Sequence, residues 1–535
     1  MTAPDSRAPL GPAPAPDTLA AEATAAAVPV AAAGAPVGEA AALQAAAPQA
    51  DHSRVLRNAS LLVIAQLAIT PLNILVTAVM ARYVGAAEYG RLYLAATMCS
   101  FGFMAVDWGQ TFTLPGMVAR DRANAGQFLA TGLLWRAVMA VFVSVLLAAG
   151  SVVLGYDGQF LVILGFSLLG ATVGTFSSAC AETVRGFERM DVMAYTQVGG
   201  QLLSVFATIV TLLLGGSLAL VLAVQAGCSA IVLAFVSRVL RPVGVGKLVV
   251  SRSTLREFAV GGVPFVVFAV TMALQPIIDA VFLSKLAPVE VVGWHAVSRR
   301  LVGFLLLPAT AILAALYPTL CRLHVEDKAR YARTTGDAIR TTTMLAVPMA
   351  LSCFLYPDIG IRIYSRDSFG PAEDNLRIMS VFLFLLYFSM PLGCSLLAGG
   401  RQRAWSFAQL AAAVASTIMI QFTIPWFQAR TGNGGLGICV SGVISEVLMV
   451  GAGIWLAPKG IFHPTLFRKI GLSLAAGAAM FVTARLLAPF SSFIGAPIAL
   501  AVYGTTLYLI GGIDPEQVEA VKAKFAGKFA KLRAR

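Results

Sequence analysis

Six ionisable side chains stand inside long apolar stretches of this sequence: Arg136, Arg299, Arg300, Asp107, Asp279 and Glu446. A charge near the middle of a membrane helix costs about 2.5 to 3.5 kcal/mol on the insertion scale, so each one needs a partner or a task. They divide by sign. The guanidinium forks of Arg136, Arg299 and Arg300 match the oxygens of a phosphate or diphosphate and stay charged where water is scarce. Arg299 and Arg300 are neighbours, about 100° apart around a helix, so only one of them can face a given cavity squarely. His295 lies one turn before Arg299 and shares its face. These four side chains are the expected anion-binding set; the alternative is that the arginines snorkel to the interface or pair with Asp279. Asp107, Asp279 and Glu446 could take up a proton or a sodium ion, or neutralise the arginines in a resting state. Glu182 and Arg485 lie close enough to helix ends to reach the headgroups, and no more is expected of them.

The elements that must position these residues follow from composition. Hydrophobic residues make up 58% of the chain and charged residues 12%, against roughly 25% charged in a soluble domain. A bilayer core about 30 Å thick takes about 20 apolar residues per helical crossing, and backbone groups in lipid must bond within their own segment. The expected fold is therefore all-α, a polytopic membrane protein of about fourteen transmembrane helices. They are placed near 58–81, 90–114, 127–154, 158–184, 192–214 and 217–241, then 258–285, 292–320, 333–357, 375–397, 401–427 and 435–457, with a final pair near 466–487 and 492–512. An internal echo groups them: AVMARYVGAAEYG from Ala78 and AVFLSKLAPVEVVG from Ala280 both end a helix, carry an acid ten positions on (Glu88, Glu290), and begin another. This predicts two equivalent six-helix lobes, 53–241 and 258–458, joined by a basic connector at 242–257 and followed by a helix pair at 459–513. Parallel repeats of this kind place a substrate site where the lobes meet. Pro71, Pro264, Pro276, Pro308, Pro348 and Pro391 fall inside expected helices and permit bends there.

Residues 1–52, with 21 Ala and 8 Pro in the first fifty, cannot bury enough apolar surface to offset ordering and are expected to be a disordered cytoplasmic tail. Residues 514–535 place Val518, Val521, Phe525, Phe529 and Leu532 opposite Lys522, Lys524, Lys528 and Lys531, a basic amphipathic helix for an anionic leaflet. The net charge of +13 sits in short loops rather than on one basic domain, which argues for membrane topology and against nucleic acid. With helix-end residues counted with the adjoining loop, loops and tails on one side hold 28 of the 39 Lys and Arg, those on the other hold 7, and 4 lie within helices. Both termini are therefore expected in the cytoplasm of a bacterial inner-membrane protein.

Several chemistries lack residues to carry them. Seven scattered cysteines show no CxxC pair, so no metal site is expected. Gly432, Gly434 and Gly437 spell GxGxxG, but no strand precedes them, and they read as a turn. There is no GxxxxGK[ST], HExxH or GxSxG motif, so neither nucleotide-driven pumping nor hydrolysis is expected, and no cofactor beyond a coupling H+ or Na+.

Six segments in fixed order carry a resemblance: ARYVGAAEYGRLYLAA at 81–96, VDWGQ at 106–110, VRGFERMDVMAYTQ at 184–197, GWHAVSRRLVGFLLLPATAILAALYPTLCRL at 293–323, LLAGGRQRAWSFAQLAAAV at 396–414 and GNGGLGICVSGVISE at 432–446. Over roughly residues 55–460 the chain resembles the polysaccharide and O-antigen repeat-unit flippases (Wzx-type) of the multidrug, oligosaccharidyl-lipid and polysaccharide exporter superfamily. The resemblance implies a V-shaped bundle with a central cationic cavity that moves undecaprenyl-diphosphate-linked oligosaccharide between leaflets for exopolysaccharide or O-antigen synthesis, with a polysaccharide polymerase or export machinery as a possible partner. It implies no enzyme activity. The related lipid II flippases carry an arginine cluster near the start of the first helix; here Arg54 and Arg57 only border it and Arg82 ends it. That departure favours a glycan repeat unit. The drug and sodium antiporters of the superfamily lean on acidic cavity residues, so the acidic set keeps them as an alternative. A glycan polymerase would need a long catalytic loop, and the longest loop on the Lys/Arg-poor side, about 358–374, is short and carries no obvious acid and base pair.

The charge asymmetry makes a direct prediction: a reporter fused within residues 366–370 should read periplasmic and one within 244–250 cytoplasmic, measured with a paired phosphatase and fluorescent-protein fusion series. The opposite pattern would invert the topology.

Overall fold

A computed structural model describes residues 52–364 and 366–512; the expected N-terminal tail and the basic amphipathic helix at 514–535 lie outside the described residues. Every one of the expected spans falls on helix. Among the described residues eleven helices are long and apolar enough to cross a membrane, or twelve when one bent pair is counted as a single span. Among the described residues no strand occurs. The protein is a polytopic all-α membrane protein.

The helices of the N-terminal half are α1 (His52–Asp107), α2 (Gln110–Arg120), α3 (Ala125–Val153), α4 (Gly158–Gly186), α5 (Met190–Leu213) and α6 (Leu218–Val243). α1 spans two expected crossings because its helical run continues through a break at Gly85, where φ is 78°. Only glycine adopts that backbone freely, so the chain turns there. α7 (Arg252–Gly261) and α8 (Val263–Leu286) together replace the single expected seventh helix. The break falls at Gly262, and a proline follows within the first two positions of α8, where its missing N–H costs nothing. α9 (Val289–Leu305) and α10 (Leu307–Glu326) likewise replace the single expected eighth helix, with a bend of 43° between them and Leu307–Pro308 opening the second piece. The remaining long helices are α11 (Lys328–Leu355), α12 (Ala372–Ala398), α13 (Gln402–Thr431), α14 (Gly435–Leu456), α15 (Pro464–Leu486) and α16 (Ser492–Leu509), and two short helices, Pro357–Tyr364 and Arg366–Phe369, occupy the loop expected before α12.

Most helix packing stays within each half of the sequence. α4 packs against α6, α3, α2 and α1, while α12 packs against α11, α14, α9 and α10. α15 docks on α11 and carries α16 with it. Lipid offers apolar surface everywhere, so association rests on close van der Waals fit. α3 shows the resulting pattern: Val138, Val141, Phe142, Val145 and Leu146 are exposed along one face while Arg136, Ala140 and Val143 are buried on the other. The connector is held down in turn. Gly244, at φ 107°, ends α6, and the backbone at Gly246 and Lys247 crosses Gly126 so closely that a Cβ there would lie 2.4 Å from the Lys247 carbonyl oxygen.

The two halves meet through α1 and α9, where a close backbone approach joins the two ends of the internal echo. A Cβ on Gly90 would lie 2.3 Å from the Val289 carbonyl oxygen, and one on Gly293 would lie 2.1 Å from the Ala86 carbonyl oxygen. Each glycine thus faces the carbonyl four residues before the other, the geometry of a small-residue helix crossing. Because the obstructing atoms are backbone, a side chain has nowhere to go. Gly90→Val and Gly293→Val should each force α1 and α9 apart and lower the thermal midpoint in detergent, at roughly 1 to 3 kcal/mol of overpacking; unchanged midpoints for both would contradict this crossing.

Candidate functional site

A belt of polar side chains runs through the junction of the two halves. On the N-terminal side, Gln201 of α5 donates to Asn73 Oδ1 of α1 at 2.9 Å, and Thr77 Oγ1 donates to the Asn73 carbonyl at 2.6 Å. Arg300 Nη2 reaches from α9 to Thr77 Oγ1 at 3.3 Å, its guanidinium 5.9 Å from the Phe304 ring centre. Arg299 turns the other way, its Nη1 3.5 Å from Asp279 Oδ2 on α8. Gln275 Nε2 completes the chain, donating to Asp279 Oδ1 at 2.9 Å and lying 3.0 Å from Ser416 Oγ of α13. Five helices from both halves therefore contribute to one polar chain.

The two adjacent arginines diverge as their helical spacing requires. Arg299 is 24% exposed and loosely paired with a buried Asp279, while Arg300 is exposed and hydrogen-bonds a neutral hydroxyl. One carboxylate against two guanidinia leaves the belt cationic, with unused N–H donors on both forks. The Gln275 carbonyl oxygen Oε1 is buried without a partner, a further polar group in the same belt.

A second constellation lies away from the belt, inside the N-terminal half. Arg136 of α3 is fully buried. Its Nη2 donates to Asp107 Oδ1 and Glu182 Oε2, both at 2.7 Å, Nη1 to the Thr175 carbonyl at 2.6 Å, and Nε to Gln110 Oε1 at 3.1 Å. Thr111 Oγ1 sits 2.9 Å from Asp107 Oδ1 and 2.8 Å from Glu182 Oε1. The cluster is placed by a break in the second crossing: Asp107 ends α1, Gln110 starts α2, and Trp108 and Gly109 between them take left-handed φ of 48° and 74°. That conformation is strained for tryptophan. It is held by a hydrogen bond of 3.0 Å from Trp108 Nε1 to the Ala259 carbonyl and by the Trp135 ring, 5.5 Å away.

These placements revise several expectations. Arg136 is held by two carboxylates and two carbonyls and has no exposed surface, so in this conformation it is closed to an anion ligand. Its counter-charges are Asp107 and Glu182, and Glu182, expected to reach the headgroups, is itself buried. His295 is also fully buried, its Nδ1 4.0 Å from Cys439 Sγ of α14, so it shares the helix of Arg299 without presenting an open edge. Glu446 is buried and accepts a hydrogen bond from Ser389 of α12; among the described residues no basic side chain pairs with it. Asn73, Thr77, Gln201 and Thr111 went unnoticed because a lone amide or hydroxyl in an apolar run gives no signal until its partner is known. Arg91 was also missed; it bridges Glu88 at 2.8 Å and Asp157 at 2.9 Å. Among the described residues no group of three or more His, Cys, Asp or Glu side chains could hold a metal ion.

Comparison with known proteins agrees with this architecture. No curated protein matches the sequence. A solved structure described as "Lipid II flippase MurJ, inward closed conformation" superposes with a TM-score of 0.65 at 14% identity, covering 84% of this chain and 98% of that one. An inward-facing multidrug resistance MATE family transporter of the MOP superfamily gives 0.56 at 16% identity over 75% of this chain and 94% of that one. At such identities the likeness is one of fold. The family described as "Polysaccharide biosynthesis protein" matches residues 55–324, half of the chain, and the chain belongs to that family, with the fold of the MOP-superfamily flippases and transporters.

Proposed function

We propose that this protein is a flippase that carries undecaprenyl-diphosphate-linked oligosaccharide repeat units across the bacterial inner membrane by alternating access at the junction of its two halves, with both termini in the cytoplasm. The observation that supports this reading best is the divergent pair Arg299 and Arg300, which reaches α8 and α1 from one turn of α9. A glycan head group on a diphosphate cannot cross hydrocarbon unaided, because each unpaired polar group costs several kcal/mol and the charge costs far more. Two guanidinium forks with open donors, flanked by amides and hydroxyls, offer replacement bonds for diphosphate and sugar while the polyprenyl tail stays in lipid. The step makes and breaks no covalent bond.

The drug-antiporter reading needs an acidic cavity for a cationic cargo. Asp279, the acid in the belt, is already engaged by Arg299 and Gln275, so the belt is matched to an anion. Between a glycan repeat unit and the peptidoglycan precursor, the family description and the absence of an arginine cluster at the start of the first helix favour the former. A polymerase or export complex is the natural recipient of the delivered unit.

Arg299→Ala and Arg300→Ala should each cut delivery of polyprenyl-linked oligosaccharide to the far leaflet by about ten- to a hundredfold, the equivalent of roughly 1.5 to 3 kcal/mol for a hydrogen bond to a charged group. Delivery is read by glycan accessibility in membrane vesicles, at unchanged protein abundance; wild-type delivery by both variants would sink the proposal. Arg136→Ala should behave differently. It strands two carboxylates and should lower stability by about 3 to 5 kcal/mol, seen as lost folded protein before any transport defect.

A further inference from the structure

The cluster around Arg136 contains a contact that two ionised carboxylates cannot satisfy. Thr111 has one hydroxyl hydrogen, yet its oxygen lies within 2.9 Å of both Asp107 Oδ1 and Glu182 Oε1. An ionised carboxylate is acceptor-only, so the hydroxyl can bond to one of them and must face the other oxygen unbonded. A single added proton resolves this. If one carboxyl carries it, that O–H donates to Thr111 Oγ1 and the threonine hydrogen goes to the other carboxylate, with Arg136 Nη2 still bonded to both groups.

We propose that Asp107, Thr111 and Glu182 form a one-proton binding site in the N-terminal half, and that its occupancy is transmitted through the break at Trp108–Gly109 to the start of α8. Access is built in. Asp107 is 28% exposed and lines a cleft of about 360 Å³ with Ser100, Thr111, Thr175 and Ser178, room enough and polar enough for several waters. A proton from that water enters at Asp107 and leaves by the same route. The charged groups that face the pair are Arg136 from α3 and, on α4, Arg185, which donates to the Thr111 carbonyl; Cys180 on α4 is the nearby thiol. Arg136 grips the residue before the break, Asp107, and the residue after it, Gln110, so a change in its carboxylate partners acts on both sides of the joint.

The joint itself touches the other half. A Cβ on Gly262 would lie 2.0 Å from the Trp108 carbonyl oxygen, and one on Gly109 would lie 2.7 Å from Phe265 Cβ. Phe112 and Phe265 stack at 5.1 Å. The break after α1 and the break between α7 and α8 therefore interlock, so that a shift of either presses on the other. This coupling does not depend on which cargo the belt carries.

The test uses the full-length protein in liposomes. Infrared difference spectra between acid and alkaline buffer should show one protonated-carboxyl band that disappears in both Asp107→Asn and Glu182→Gln. Thr111→Val should shift its titration midpoint by about one pH unit or more, while Thr111→Ser should keep it, so the claim survives if either carboxyl variant fails to fold. Tryptophan emission should titrate with the same midpoint, become pH-independent in Asp107→Asn, and lose the response in Trp108→Phe. A band that persists in both carboxyl variants, or none in the wild type, would overturn the site. Sodium chloride abolishing the band at constant pH would replace the proton with sodium, and an emission change retained in Trp108→Phe would remove the coupling.

Discussion

A charge in hydrocarbon must be partnered, and most of the structure is arranged around that requirement. The buried guanidinium of Arg136 makes four hydrogen bonds to groups on the α1–α2 break and α4, which ties the second, third and fourth crossings into one unit. The same requirement is met only loosely at the junction of the halves. There Arg299 stands 3.5 Å from its carboxylate and Arg300 leans on a hydroxyl. Tight pairing makes a strut, whereas slack pairing leaves donors for a cargo that brings its own negative charge.

Close backbone approach sets where these two regions sit relative to each other. Gly90 and Gly293 bring α1 and α9 together at one end of the bundle, and Gly109 and Gly262 bring the α1–α2 break against the start of α8. Both contacts join sequence halves, and both need residues without a side chain. The cationic belt lies on helices that these crossings fix in place, α1, α8 and α9, so its geometry depends on contacts that carry no charge at all.

Much of the fold was legible because apolar runs of membrane length are long, periodic signals, and all the expected spans are helical. The breaks were not. Gly85, Gly109 and Gly262 look like ordinary membrane glycines, and only their φ or their neighbours show that the helix turns or stops there. The internal echo was informative beyond its length, since the glycines that end its two copies are the ones that touch. For the site, sequence marked the intramembrane charges as the residues to explain, but sign alone could not tell how tightly the fold would pair each one. Arg136 and Arg299 look alike in sequence. They differ in how many carboxylates the fold brings to each, two against one, and one of Arg136's pair, Glu182, was read as a helix-end residue.

The central claim is that anionic lipid-linked cargo passes the belt at the junction of α1, α8 and α9. The most direct measurement is photo-crosslinking of the wild-type protein in native membranes with a polyprenyl-diphosphate analogue that carries the reactive group beside the diphosphate, followed by peptide mapping. The account predicts labels on the segments holding Asn73 and Thr77, Gln275 and Asp279, and Arg299 and Arg300, suppressed by excess unlabelled polyprenyl-diphosphate glycan. Labels confined to lipid-facing residues such as Val141 and Phe142, or to the cleft beside Asp107, would contradict it.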